Sequence, residues 1–180
     1  MSQSNATVGQ GLFLIFIAQI VGLFSFIPLL GAIASIASVV ISVLGFYTLS
    51  KVNADYKNAF TLTIVNLVLS VLAVIFSSGF MSGLISILST AVSFLIVYLV
   101  CNTTAGLLQG LDNALVDRAA LIWKLNFICA VVAIVCTLVS AIPLINIIAA
   151  ILSVIAAIVQ LVAAILYLIF LWKSQKVLKA

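Results

Sequence analysis

The chain has 180 residues, of which 67% are hydrophobic and 6% charged, against about a quarter charged in a soluble domain. A chain this apolar cannot cover its own core with polar side chains, which excludes a water-soluble globule and makes lipid the solvent. The net charge of +4 does not point to nucleic acid, because the basic residues form no face of a soluble domain; they fit juxtamembrane anchors that meet anionic headgroups.

Charge divides the chain. All Lys, Arg and Asp residues fall in short stretches: Lys51, Asp55 and Lys57; then Asp112, Asp117, Arg118 and Lys124; then Lys173, Lys176 and Lys179. Between them run apolar blocks from Gly11 to Ser50, Asn58 to Val100 and Ala119 to Trp172, each about twice the ~20 residues that cross a bilayer. A turn signal interrupts each block: Ser25-Phe26-Ile27-Pro28, Ser77-Ser78-Gly79 and Ser140-Ala141-Ile142-Pro143. The pattern predicts helices over 9–26, 28–51, 56–78, 82–108, 113–140 and 143–177. The expected fold is an all-α integral membrane protein with six transmembrane helices, arranged as three helical hairpin repeats, 11–51, 56–108 and 113–177.

Residues 1–10, MSQSNATVGQ, lack the basic start of a signal peptide. They are expected to be a short cytoplasmic tail before an uncleaved first helix, with 11–177 as a single membrane domain. The mid-block turns carry no charge, whereas the segments between blocks and the C-terminus carry all of it apart from Lys124. Positive residues favour the cytoplasmic side, so both termini and the segments between hairpins are expected inside, at the cytoplasmic face of the cell membrane. Lys124, inside the fifth helix, is expected to snorkel toward that surface, and the last helix is long enough for its end to lie along it.

Aligned without gaps, the hairpins place Ala18 on Ala73 and Ala133, Leu29 on Leu84 and Leu144, Ser38 on Ser93 and Ser153, and Pro28 on Gly83 and Pro143. The first helix of each hairpin carries a small or polar stripe. It reads Gly11, Ala18, Gly22, Ser25 in the first; Asn66, Ser70, Ala73, Ser77 in the second; and Asn126, Ala130, Ala133, Thr137, Ser140 in the third. The second helices show Gly31, Ser35, Ser38, Ser42, Gly45, then Ser86, Thr90, Ser93, then Asn146, Ala150, Ser153, Ala157, Gln160. Such spacing keeps to one side of a helix. Small residues let helices approach within lipid, and hydroxyls or amides bond across the contact. These residues are therefore candidates for packing faces or for a polar path, and Leu at Ala73 or Ala133 is expected to strain the packing.

Site chemistry is sparse. Cys101, Cys129 and Cys136 sit in apolar stretches without a CxxC pair, and the chain has no His or Glu. Asp55 and Asp112 or Asp117 precede helices, where a carboxylate caps free amides. Gly106 to Gly110 is a lone GxxxG at a polar helix end, read as helix-end chemistry. No catalytic residue, cofactor or metal site is expected, and the deep segments hold no carboxylate for a proton relay.

The strings Ile27-Pro28-Leu29-Leu30-Gly31, Gly45-Phe46-Tyr47-Thr48-Leu49-Ser50-Lys51-Val52 and Asp55-Tyr56-Lys57-Asn58-Ala59-Phe60 are similar to stretches of uncharacterised multi-pass inner-membrane proteins of Gram-positive anaerobic bacteria. That resemblance spans the first hairpin and the start of the second. It implies a bacterial inner-membrane setting and no activity. Mitochondrial carriers also have three two-helix repeats, but with charges at the first-helix turns that are missing here. The substrate-binding subunits of energy-coupling-factor transporters match in size and span number alone.

The sequence favours a non-enzymatic membrane protein that acts through helix packing, as an accessory subunit, scaffold or membrane-organising module. The lipid bilayer is its expected partner, with self-association or a membrane complex as further options and no nucleic acid. The alternative is a transporter or channel-like protein passing a small neutral or weakly polar solute along the Asn, Ser, Thr and Gln stripe.

Overall fold

The computed structural model describes residues 2–27, 31–139 and 146–179. Expectations that fall on Pro28, Leu29, Ser140, Pro143 and Leu144 lie outside the described residues, as do the side chains of Asn146 and Ala150. The described chain forms α1 (Ser2–Leu23), α2 (Gly31–Ser50), α3 (Ala54–Ile75), α4 (Gly79–Leu108), α5 (Asn113–Val139) and α6 (Asn146–Lys179), with a 3-10 turn at Phe24–Phe26. Among the described residues, six helices are long and apolar enough to cross a membrane.

The helix boundaries follow from local chemistry. Asn53, not Asp55, caps α3: its side-chain oxygen accepts from the Tyr56 amide at 3.0 Å, and Asp55 sits in the first turn, where the helix dipole favours a carboxylate. Asp112 does cap α5, accepting from the Leu115 amide at 3.1 Å. Gly110 follows α4 with φ of 84°, a left-handed conformation that suits glycine after a helix, so the lone GxxxG is a helix end. Residues 2–10, expected as a tail, are instead the first turns of α1, and Val8 is fully buried. Nor does the C-terminal segment lie apart: Ser174, Gln175 and Leu178 are buried. The two extensions belong to helices that pack side by side, with Phe16 against Trp172 at 5.1 Å between ring centroids.

The helices form a closed ring. Each packs on its chain neighbours, α6 returns to α1, and α4 and α6 also touch. Paired residues run in opposite directions along neighbouring helices, as in Ala18 with Ser38, Tyr56 with Thr104 and Asn126 with Gln160, so the packing is antiparallel. Alternation puts the charged segments at one end of the ring and, among the described residues, the uncharged turns at the other.

Packing is unequal along the ring. The buried core, including Leu12, Ile15, Leu49, Tyr56, Val100, Leu108, Leu115, Ile122, Phe170 and Leu171, lies toward the charged end. There lysines lie over aromatic rings: Lys51 over Tyr47 at 4.3 Å, Lys176 over Trp172 at 4.5 Å and Lys179 over Phe13 at 4.8 Å from the ring centroid. Amphipathic aromatics beside lysines are typical of a membrane–water boundary. Outward faces carry exposed Ile33, Ile36, Val68, Val74 and Ile158, suited to lipid.

α1 and α2 approach each other closely at glycines. A Cβ on Gly11 would lie 3.1 Å from the Gly45 carbonyl oxygen, and one on Gly45 would lie 3.1 Å from the Gly11 carbonyl oxygen and 2.8 Å from Ile15 Cγ1. Gly106, in contrast, has nothing within 4 Å of its Cβ direction. Gly45→Ala is therefore expected to cost about 1–3 kcal/mol of stability by overpacking. Gly106→Ala is expected to gain about 0.5–1 kcal/mol, because alanine loses less entropy in a helix. Thermal melting in detergent checks both; equal melting of the two variants would contradict the close α1–α2 contact.

Candidate polar cavity within the helix ring

The ring does not fill its own interior. A cavity of about 750 Å³ lies between α3, α4, α5 and α6, and a second of about 280 Å³ lies toward α1 and α2. Ser70, Ser93 and Val97 wall both, so the two spaces are neighbours around one polar seam. No Lys, Arg, Asp or Glu lines either. Hydroxyls and amides do: Ser82, Ser86, Ser89, Thr90 and Ser93 of α4, Ser70 of α3, Asn126 of α5, and Ser153 and Gln160 of α6 line the larger space. Ala73, Ser86 and Ser153, all on this wall, are exposed among the described residues.

Hydrogen bonds set the wall's geometry. Asn66 of α3 donates through Nδ2 to Ser93 Oγ at 3.2 Å and accepts from Ser89 Oγ at 2.8 Å. Gln160 of α6 donates to Asn126 Oδ1 at 3.2 Å, while Asn126 Nδ2 donates to the Ile122 carbonyl at 3.0 Å. Ser70 and Thr90 turn their hydroxyl hydrogens back to the carbonyls of Asn66 and Ser86. A hydroxyl oxygen so engaged keeps its lone pairs, so the wall offers acceptors to a solute that donates hydrogen bonds.

The sequence stripe thus divides. Gly11, Ala18, Gly22 and Ser38 belong to the α1–α2 contact: Ser38 Oγ donates to the Ala18 carbonyl at 2.8 Å, and a Cβ on Gly22 would meet Ser38 Oγ at 3.1 Å. Asn66, Ser70, Ala73, Ser93, Asn126, Ala133, Ser153 and Gln160 line the cavities, and Ser38 borders the smaller one as well. Thr137 is half-buried and donates to the Ala133 carbonyl at 2.9 Å, and the side chain of Asn146 lies outside the described residues. Ala73 is exposed on the cavity wall, so a leucine there projects into space and does not strain a packed face, contrary to the sequence expectation.

Sequence reasoning passed over Ser82, Ser89 and Cys129 on the wall, and Gln19 and Tyr167 beside the smaller space. It also passed over a buried pair, the hydroxyls of Tyr56 and Thr104, which share a hydrogen bond of 2.8 Å. The signal was present: Ser82, Ser86, Ser89 and Ser93 keep helical spacing, and so do Gln160, Tyr167 and Ser174. The cysteines stand as free thiols, Cys101 and Cys129 buried and Cys136 half-buried.

Comparison with known protein families, curated proteins and solved structures finds no match to this chain.

Proposed function

We propose that this chain is a multi-pass inner-membrane transporter for a small uncharged solute that donates hydrogen bonds. One observation carries the reading: an uncharged cavity of about 750 Å³, walled by hydroxyls and amides, lies among helices of membrane-spanning length. The volume falls in the range of small-molecule sites, roughly 300–1,000 Å³. Absence of ionised wall groups fits a neutral solute, since a buried charge without a partner is costly to hold in lipid.

In the proposed arrangement the chain comprises three hairpin repeats with both ends cytoplasmic. The repeat is supported by register. Gly11 faces Gly45 in the first hairpin, and Asn126 bonds Gln160 in the third; these are equivalent positions when Ala18 is aligned on Ala133. In the second hairpin Asn66 meets Ser89 and Ser93, not the equivalent Val100, so that hairpin is slipped along its axis. The orientation is supported by the charges gathered at one end. With the native cysteines replaced, a cysteine beside Gly79 should react with an impermeant thiol reagent from outside, and one beside Asp112 only from inside. Outside labelling beside Asp112 would refute the orientation.

A second reading, a module acting only through helix packing, is favoured by the interhelical bonds that the amides of Asn66 and Asn126 already make. Proteoliposome swelling with glycerol, urea and sorbitol, measured beside melting temperature, separates the two. Under transport, Ala73→Leu cuts flux and leaves melting near the parent, because it occupies space without removing a contact. Val71→Leu, on an exposed outward position, changes neither. Asn126→Ala costs about 0.6–2 kcal/mol through its lost interhelical bond under either reading. Absence of protein-dependent flux for the whole solute panel, with Ala73→Leu indistinguishable from the parent, favours the packing module.

A further inference from the structure

The polar face that lines the cavity does not stop at its floor. On α3, Tyr56, Thr63 and Ser70 follow one another at intervals of seven, and on α6 so do Ser153, Gln160, Tyr167 and Ser174. Seven residues are nearly two helical turns, so each set keeps to one side of its helix. On α4 the cavity residue Ser93 has Thr104 eleven positions on, close to three turns. α3 and α6 therefore each carry a polar face from the cavity toward the packed, charged end, whereas on α4 Val97, Val100 and Cys101 separate Ser93 from Thr104. At the charged end the space is filled by Tyr56, Cys101, Tyr167 and Phe170, all buried.

The packed end is an odd seal for a lipid-embedded bundle. Apolar side chains alone would close it without polar cost. Instead it holds Thr103, Thr104, Ser174 and Gln175, buried to nine-tenths or more. Thr104 is satisfied by Tyr56, but the hydroxyl oxygens of Thr103 and Ser174 have no hydrogen-bond partner. Buried hydroxyls are almost always bonded, and an orphan penalises the state in which it is orphaned. Ser174 continues the α6 face, so a state that admits water or solute to that face satisfies it, whereas Thr103 lies about 100° around α4 from Thr104 and is off that face.

We infer that the charged end is a closed gate: the polar faces of α3 and α6 form one path through the ring, shut by Tyr56 and Tyr167 and completed when water or solute reaches Ser174. This rests on the transport reading and adds where the solute leaves. The Tyr56–Thr104 bond clasps α3 to α4 in the closed state, and the orphaned Ser174 hydroxyl biases the seal toward opening.

Cys101 is a native reporter in the middle of the seal. In a Cys129→Ala, Cys136→Ala background, a compact impermeant methanethiosulfonate cation is applied to each face of sealed membrane vesicles. The gate predicts slow modification of Cys101 from the charged-end face. It also predicts faster modification in Tyr56→Phe, which loses the clasp. Ser174→Ala should slow modification roughly tenfold by removing one orphan from the closed state, with melting unchanged or raised. Ala73→Cys, made with Cys101→Ala in the same background, reports the cavity and should react from the opposite face. If Ala73→Cys reacts while Cys101 stays inert in the parent and in Tyr56→Phe, the gate is refuted and the cavity stands. If neither reacts, the cavity reading falls and the gate with it. Equal Cys101 rates in the parent and Ser174→Ala would also refute the gate, since a hydroxyl of purely structural role would leave access unchanged.

Discussion

In lipid a polar group has no water to fall back on, and this constraint organises the whole molecule. Backbone amides are satisfied by helix formation, which leaves side-chain hydroxyls and amides to find partners within the ring. They do so in two ways. Ser70, Thr90 and Thr137 return their hydrogens to the preceding turn of their own helix, whereas Asn66 and Asn126, with two functional atoms each, reach across to the neighbouring helix. The outward surface is left to Ile, Val, Leu and Phe.

Packing is unequal under the same constraint. Where the stripe is glycine and alanine, as in α1 and α2, backbones approach until Gly11 and Gly45 nearly touch. Around the cavity the wall mixes serine, threonine and asparagine with alanine, and Asn66 spans the α3–α4 contact to Ser89 and Ser93. Alanine occurs on both sides, buried at Ala18 and on the cavity wall at Ala73, Ala130 and Ala133, so residue size alone does not separate the solid side from the hollow one.

Much of the fold was legible because lipid simplifies the code. Long apolar blocks, with charges at alternate turns, placed the helices to within a few residues. The exceptions have physical causes. Residues 2–10 are polar enough to resemble a tail, yet they are helical because α6 is long enough to run beside them, with Ser174 and Gln175 buried there. Asn53 outcompeted Asp55 as a cap because it stands one residue before α3, where its side chain reaches the Tyr56 amide. The stripe itself was readable, but its partition into contact and cavity was not. Ala18 and Ala73 are the same residue at equivalent positions, one fully buried and the other exposed, and only the neighbours brought by the ring distinguish them.

Closure of the ring by α6 against α1 carries a consequence for assembly. Local hairpins can form as soon as each pair of helices is made, but the α1–α6 seam joins residues from opposite ends of the chain, the kind of long-range contact whose loop-closure cost delays folding. Tyr167, Phe170 and Leu171, which stop the charged end, all arrive with that last helix. α6 walls the larger cavity and joins α5 to α1, so it is the element that closes the hydroxyl-lined interior off from the bilayer.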